Sequence, residues 1–379
     1  MQVGQTIYLD YQASTPVDER VLRVIHTASA AHFANPHSAD HVLGWRAAAA
    51  IKVASAQVGE LFGLQGEDVI FTSGASESNA MAVRTAEAIA SSSQRTELLI
   101  GAADHGSILN EAENSRLTVK RIALNKHGAP DHHHLRTLLN DSTALVSIVG
   151  VNNENGAISD LTAHSDLCRS RGILLHVDLS QAPLAMDIDL LNLDIAFATV
   201  SAHKIYGPKG IGALLTGPGL SDQIKPIIVG AGQQGGRRGG TMPTELIMGF
   251  GEACRLVSDN GSSERGTIAA IRNRFIKSLA EKRIASLIGS LERRHPGNAL
   301  MHFPGRDASD LLARLQPKIA ASTQSACSSG SIEPSHVLRA MGFDYETASE
   351  CIRFSFGRFS NNEQADQAIR HIVDVLNDC

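Results

Sequence analysis

Between Val69 and Thr216 short β-rich runs alternate with alanine-rich or amphipathic stretches, and this alternation constrains the fold more than any other feature of the chain. The runs are Val69-Ile-Phe-Thr72, Leu98-Leu-Ile100, Leu145-Val-Ser-Ile148, Ile173-Leu-Leu-His-Val177, Ile195-Ala-Phe-Ala198 and Gly212-Ala-Leu-Leu215. Strands separated by helical stretches need crossover connections, so the pattern predicts an α/β fold: a mostly parallel sheet flanked by helices. Open sheets of this kind bind ligands beyond the carboxyl ends of their strands. Side chains that closely follow those runs are therefore the first to weigh.

At 379 residues the chain is long enough for one large and one smaller domain. After Thr216 the pattern changes to a glycine-rich connection, Gly230-Ala-Gly-Gln-Gln-Gly-Gly-Arg-Arg-Gly-Gly240, and then to a helical stretch through roughly Lys282. The segments that follow, including Ala299-Leu-Met-His-Phe303 and Cys351-Ile-Arg-Phe-Ser-Phe356, read as a smaller α+β unit. The expected division is 15–255 for the large domain, with 1–14 and 256–379 forming the small one. A net charge of −5 without a long basic run argues against an electrostatic grip on nucleic acid or an anionic membrane, and favours a small-molecule substrate. The sequence has no apolar run long enough to span a membrane and no signal-peptide pattern at Met1–Asp10, so the expected location is the cytoplasm. Cysteines 168, 254, 327, 351 and 379 are odd in number and scattered, with no CxxC pair, so reduced thiols are expected and not a disulfide framework or a zinc site.

Asp178 directly follows the run at 173–177, and Ser201-Ala-His-Lys-Ile-Tyr-Gly-Pro-Lys209 follows the run at 195–198, so Asp178 and Lys204 should both face the crevice. Lysines are usually solvated and aspartates often cap helices. Together, however, a lysine amine can hold an aldehyde cofactor covalently while a carboxylate on a neighbouring strand keeps a pyridine nitrogen protonated. That is the requirement of a pyridoxal phosphate (PLP) site, with Gln181 placed to donate to the phenolic oxygen. Ser73-Gly-Ala-Ser-Glu-Ser-Asn79 follows a strand and opens a helix, which makes it an anion site. The Ala75 N–H, the Ser76 hydroxyl, Ser201 and His203 are the expected phosphate contacts. His105 can stack on the cofactor ring, and Asn153 can reach both the phenolic oxygen and a substrate carboxylate, although Asn-rich turns are often only turns.

Arg353 lies between apolar neighbours and needs a partner, and its planar guanidinium matches a carboxylate. Cys327, in Ser325-Ala-Cys-Ser-Ser-Gly330, sits among small residues without apolar periodicity, which places it on an accessible loop where a thiolate can act as a nucleophile. Cys168 and Cys254 have the setting of buried, inert thiols. The histidines of Asp131-His-His-His134 should point in different directions from a helix start, so no metal is expected there.

These residues together resemble the NifS/IscS-type cysteine desulfurases of group I, in the class V aminotransferase family of fold type I PLP enzymes. The likeness runs through Tyr8-Leu-Asp-Tyr-Gln-Ala-Ser-Thr-Pro16, Thr72-Ser-Gly-Ala-Ser-Glu-Ser78, Val151-Asn-Asn-Glu154, His176-Val-Asp-Leu-Ser-Gln181, the Ser201–Gly212 segment, Ser325-Ala-Cys327 and Ile352-Arg-Phe-Ser355. It implies that Lys204 binds the cofactor aldehyde and moves protons, that Asp178 and Gln181 tune the ring, and that His105 stacks on it. Arg353 and Asn153 would hold the carboxylate of L-cysteine, and Cys327 would take its sulfur as a persulfide, leaving alanine. The resemblance further implies a homodimer in which Thr241, with Arg238 nearby, reaches the phosphate of the partner's site, and a sulfur-acceptor protein. Ser76 stands where the family has threonine, which keeps the hydroxyl. The glycine-rich Gly232–Thr241 segment departs from the family's His/Gln-Glu-Arg pattern. The chain ends soon after its last expected helix, so the expected acceptors extend from iron–sulfur scaffolds to a nitrogenase-associated scaffold or the DNA phosphorothioation pathway served by DndA-type enzymes. A selenocysteine lyase or class V aminotransferase would use the same pocket, but transamination needs no thiol. A catalytically silent PLP-binding subunit would not need the Lys204, Asp178, Cys327 and Arg353 set.

Overall fold

The computed structural model describes residues 1–323 and 335–377. Two short strands, β1 (Gln2–Val3) and β2 (Thr6–Tyr8), precede α1 (Glu19–Ala31) and α2 (Val42–Leu61). Asp18 starts α1 by accepting from the Arg20 N–H, one of the donors that a helix start leaves open. An alternating series follows: β3 (Val69–Thr72), α3 (Ala75–Ser93), β4 (Glu97–Gly101), α4 (Gly106–Glu113), β5 (Thr118–Ile122), α5 (His132–Leu138), β6 (Thr143–Val149), α6 (Leu161–Ser170), β7 (Leu174–Asp178), β8 (Phe197–Ser201) and β9 (Gly212–Thr216).

The last seven of these strands form one sheet of order β3-β9-β8-β7-β6-β4-β5, in which only β9 runs against the rest. Every residue of β6 is buried, as expected of a strand covered on both faces. The expected mostly parallel α/β sheet is therefore present, with two differences. The strand expected at 195–198 is Phe197–Ser201, because pairing with β9 sets its register from Phe197 opposite Thr216 to Ser201 opposite Gly212. The strand β5 has no counterpart among the apolar runs. It is an edge strand, where charge is tolerated, and its Lys120 pairs with Glu97 at 2.6 Å.

The long helix α7 (Thr244–Glu281) leads out of the sheet and passes unbroken through Arg255. Its first half packs Ile247, Phe250, Cys254 and Val257 into the core of the large sheet, and its second half packs Ile268, Phe275 and Leu279 into a separate core with Leu9, Met301, Phe303 and Phe354. After the helix come β10 (Ser286–Leu287), β11 (Asn298–His302), α8 (Ala308–Leu315), β12 (Ile319–Ala320), β13 (Ser322–Thr323), α9 (His336–Ala340), α10 (Tyr345–Ser349), β14 (Cys351–Ser355) and α11 (Asn362–Asn377), of which β11, α8, β12, β14 and α11 build the second core, while α9 and α10 place Leu338 and Ala348 in a smaller cluster with Ile288, Leu300 and Cys351. The antiparallel sheet β10-β11-β14-β13 lies here, while β12 pairs in parallel with β2. The N-terminal segment thus begins on the second core and then crosses to the first. Among the described residues no helix is long and apolar enough to cross a membrane.

Candidate active site

The carboxyl ends of β3, β6, β7 and β8 and the turn after β4 enclose a cleft of about 640 Å³, lined among others by Ala75, Ser76, His105, Asn153, Asp178, Gln181, Ser201, His203 and Lys204. The sheet topology therefore gathers the residues expected to surround one ligand.

Lys204 closes a single helical turn, Ala202–Lys204, directly after β8. Its Nζ donates to the carbonyl oxygens of Gln12 at 2.7 Å and Ala13 at 2.9 Å. The same Gln12 carbonyl accepts from Gln181 Nε2 at 2.8 Å, so the amide expected to donate to the phenolic oxygen is tied to the N-terminal segment passing beside it. The His203 ring nitrogen Nδ1 lies 3.2 Å from the Ser14 hydroxyl. Burial, with the nearby charges of Lys204 and Lys209, pushes the His203 pKa down to about 4, so the ring is neutral at pH 7.

Asp178 is the last residue of β7 and is buried. Its Oδ1 accepts from the Ser180 N–H at 2.9 Å and its Oδ2 from Asn79 Nδ2 at 3.0 Å. Asn79 also donates to the Ser107 hydroxyl at 2.9 Å, which ties α3, α4 and β7 together beneath the cleft. Among the described residues Asp178 makes no salt bridge. A buried carboxylate without a cation is costly, and a protonated pyridine nitrogen in the cleft would supply that cation. Two residues back on the same strand face, His176 sits between Ser147 Oγ at 2.8 Å and Thr199 Oγ1 at 3.0 Å. Burial holds its pKa near 4 against the opposing pull of Asp178.

At the start of α3, Gly74 provides the cap residue at φ 149° and, among the described residues, no side chain caps the helix, which leaves open N–H groups beside Ala75 and Ser76. The opposing Gly212 lets β9 approach closely, since a Cβ there would lie 2.8 Å from Gly74 Cα. Glu77 accepts from the Ser73 N–H at 2.7 Å and pairs with Arg238 at 2.8 Å. Arg238, expected beside Thr241 at a partner's phosphate, is thus engaged by a carboxylate of its own chain. An uncapped helix start, a lysine and an unpaired buried carboxylate around one cleft fit the phosphate, aldehyde and ring nitrogen of PLP.

His105 caps α4, with Nδ1 accepting from the Ser107 N–H at 3.1 Å. Although the side chain opens to the cleft, desolvation by the surrounding protein lowers its pKa, with Lys204 adding to the effect and Asp178 opposing it. Beneath it, the buried Asp104 accepts from the N–H groups of Val149 at 2.8 Å and Gly101 at 3.1 Å. Burial raises its pKa well above the usual carboxylate range.

Arg353 stands apart from the residues that line the cleft. On β14 it donates from Nη1 to the backbone carbonyl of Asn153 at 2.8 Å and from Nη2 to Asp10 Oδ1 at 2.8 Å. The expected neighbours Arg353 and Asn153 do meet, but the guanidinium already has a carboxylate partner. Thr241 is exposed and is not among the residues lining the cleft of its own chain. Cys327 lies outside the described residues. Burial raises the thiol pKa of Cys168 and Cys351 to about 12 and also raises that of Cys254. His132 and His133 do not diverge as expected: their rings lie 4.0 Å apart, while His134 Nδ1 accepts from the Ala123 N–H.

Sequence reasoning missed Asn79, the partner of Asp178, and the carbonyls of Gln12 and Ala13. Asn79 lies three residues after Ser76, hence on the same helix face as an expected phosphate contact, and that spacing was the available signal. No local pattern marks a backbone carbonyl as a lysine acceptor.

Residues 7–368 match the family model for aminotransferase class-V. The chain is 37% identical over 375 residues to the cysteine desulfurase IscS of Colwellia psychrerythraea, covering 98% of this chain and 92% of that one. Among solved structures, a NifS-like protein superposes with a TM-score of 0.92 at 28% identity, covering 99% of this chain and 100% of the other. DndA from Streptomyces lividans superposes with a TM-score of 0.79 at 30% identity, covering 93% and 99%.

Proposed function

The chain belongs to the aminotransferase class-V family and is a PLP-dependent cysteine desulfurase, and on that premise we propose which of its residues carry the reaction. In this reading Lys204 holds the cofactor aldehyde, Asp178 faces the ring nitrogen with Asn79 fixing its orientation, and Gln181 donates to the phenolic oxygen. His105 would stack on the ring, and the start of α3 at Ala75 and Ser76, with Ser201 and His203, would hold the phosphate. The observation that carries the assignment is the buried Asp178 carboxylate, which makes no salt bridge among the described residues and faces the same cleft as Lys204. Bound PLP supplies an electron sink for breaking bonds of an amino acid.

Lys204 Nζ takes and returns a proton at the substrate carbon, and the Gln12 and Ala13 carbonyls stabilise it when it carries that proton. Arg353 and Asn153 receive the α-carboxylate of L-cysteine. The sulfur passes to Cys327, so that L-cysteine and the Cys327 thiol become L-alanine and a Cys327 persulfide, which an acceptor protein then takes. The raised pKa values of the buried thiols 168, 254 and 351 support this assignment, because a buried neutral thiol is a poor nucleophile. The reading includes a cytoplasmic homodimer in which Thr241 serves the partner's phosphate. The exposed Ile227, Ile228 and Val229 ahead of the glycine-rich segment support such a contact.

The test is alanine and sulfide release from L-cysteine in the presence of a reductant, for the wild type and for Cys327→Ala. Equal amounts of both products from the wild type, and neither from a variant that still binds PLP, are the expected result. Full activity in the variant would remove Cys327 from the mechanism, and a wild type that makes no alanine would overturn the whole reading.

A further inference from the structure

In this reading Lys204 exchanges a proton with the carbon that bears the carboxylate of L-cysteine, so Lys204 and the Arg353 that receives that carboxylate must be held at one separation. A single turn, Asp10 to Ser14, meets both. Its Gln12 and Ala13 carbonyls accept from Lys204 Nζ, and its Asp10 carboxylate accepts from Arg353 Nη2. The turn is held on every side. The Ala13 N–H closes onto the Asp10 carbonyl at 3.0 Å, and the Tyr8 hydroxyl donates to the carbonyls of Asp10 at 3.0 Å and Ser14 at 2.8 Å. It is also fastened to the strand that carries Arg353, through a bridge between Asp10 and Ser355 and a bond from the Gln12 N–H to Ser355 Oγ at 3.0 Å.

We propose that Asp10 is a positioning residue that aims the Arg353 guanidinium at the α-carboxylate of the amino-acid substrate, and that the Asp10–Ser14 turn sets the spacing between Arg353 and Lys204. The proposal rests on the reading that Arg353 receives that carboxylate. The Arg353 side chain is 5% exposed and that of Asp10 19%, so the cation is enclosed and its partner is the more open of the two. Among the described residues Arg353 Nε is buried without a hydrogen-bond partner, and it is the Asp10 and Asn153 contacts that fix the plane of the guanidinium. Without Asp10, a buried guanidinium would lose its counter-charge and its aim together.

The experiment compares PLP-loaded wild type, Asp10→Ala, Asp10→Asn and Arg353→Lys. L-alanine and ethylamine, which differ by the carboxylate, serve as calorimetric binding probes alongside kcat and KM for L-cysteine. Losing a charge-assisted hydrogen bond should weaken L-alanine binding and raise KM about tenfold in Asp10→Ala, with kcat little changed and ethylamine binding as in the wild type. Asp10→Asn, which keeps an acceptor oxygen and the side-chain size, should fall between and is the variant to read if Asp10→Ala folds poorly. Wild-type L-alanine affinity in both Asp10 variants, or equal losses for L-alanine and ethylamine, would overturn the positioning role. If Arg353→Lys also binds L-alanine as the wild type does, the underlying assignment of Arg353 fails. If that variant loses L-alanine while the Asp10 variants keep it, only the Asp10 inference fails.

Discussion

The floor of the cleft and the neighbouring wall of the second core, which carries Arg353, are built in opposite ways. On the floor, Asp178, Ser201, Lys204 and His105 stand at or just beyond the ends of strands in one sheet, each aimed by the strand that delivers it. In the wall, Arg353 is held by Asp10 and Asn153, which are 343 and 200 residues away along the chain. The floor is thus fixed mainly by local geometry repeated across parallel strands, while the wall depends on how the N-terminal segment and the second core meet the first. Asn298 shows the same dependence, donating to Gln12 Oε1 and to the Glu154 carbonyl from a strand of the second core.

The strongest way to break this comparison is Phe354→Ala. Phe354 is fully buried in the second core, with its ring centroid 5.0 Å from that of Phe275, and its truncation should cost about 3–5 kcal/mol. In denaturant titrations followed by PLP absorbance and by protection of Arg353-containing peptides, the wall should loosen before the floor releases the cofactor. Loss of both in a single transition would show that floor and wall are one cooperative unit.

A smaller effect sharpens the role of the floor. His105→Ala should slow L-cysteine turnover by about a hundredfold, within the range of a lost acid–base or stacking partner, and leave PLP bound. Normal turnover in that variant would remove His105 from the chemistry.

The smallest effect concerns pH. The folded-state pKa values of His203 and His176 are lowered to about 4 from an ordinary 6.5. Between these values the unfolded chain binds more protons than the folded one, so the stabilising effect of keeping the rings neutral is complete above pH 6.5 and is lost as pH falls towards 4. In His176→Asn, the slope of unfolding free energy against pH in this window should fall by about one proton. An unchanged slope would mean that His176 is not protonated on unfolding there.

The strand positions, the uncapped glycine start of α3 and the clustering of Lys204 with Asp178 were legible in the sequence because each rests on residues near one another in the chain. The edge strand β5 was not, since charge is tolerated at an edge and erases the apolar signal. Asn79 was half legible: its helix face was predictable, but its bond to Asp178 requires α3 to lie beside β7. The Arg238–Glu77 pair was missed because it depends on where a glycine-rich segment with little intrinsic preference comes to rest.

By itself the sequence determined the layered α/β architecture, the side of the sheet on which the chemistry lies and the residue types that can hold a PLP group. Periodicity, strand ends and helix starts are properties of neighbouring residues. Only the tertiary structure decided that Arg353 already faces a carboxylate, that Lys204 is held by two backbone carbonyls and that one turn reaches both. Those contacts join segments hundreds of residues apart, and their distances exist only after two cores and the chain between them have packed.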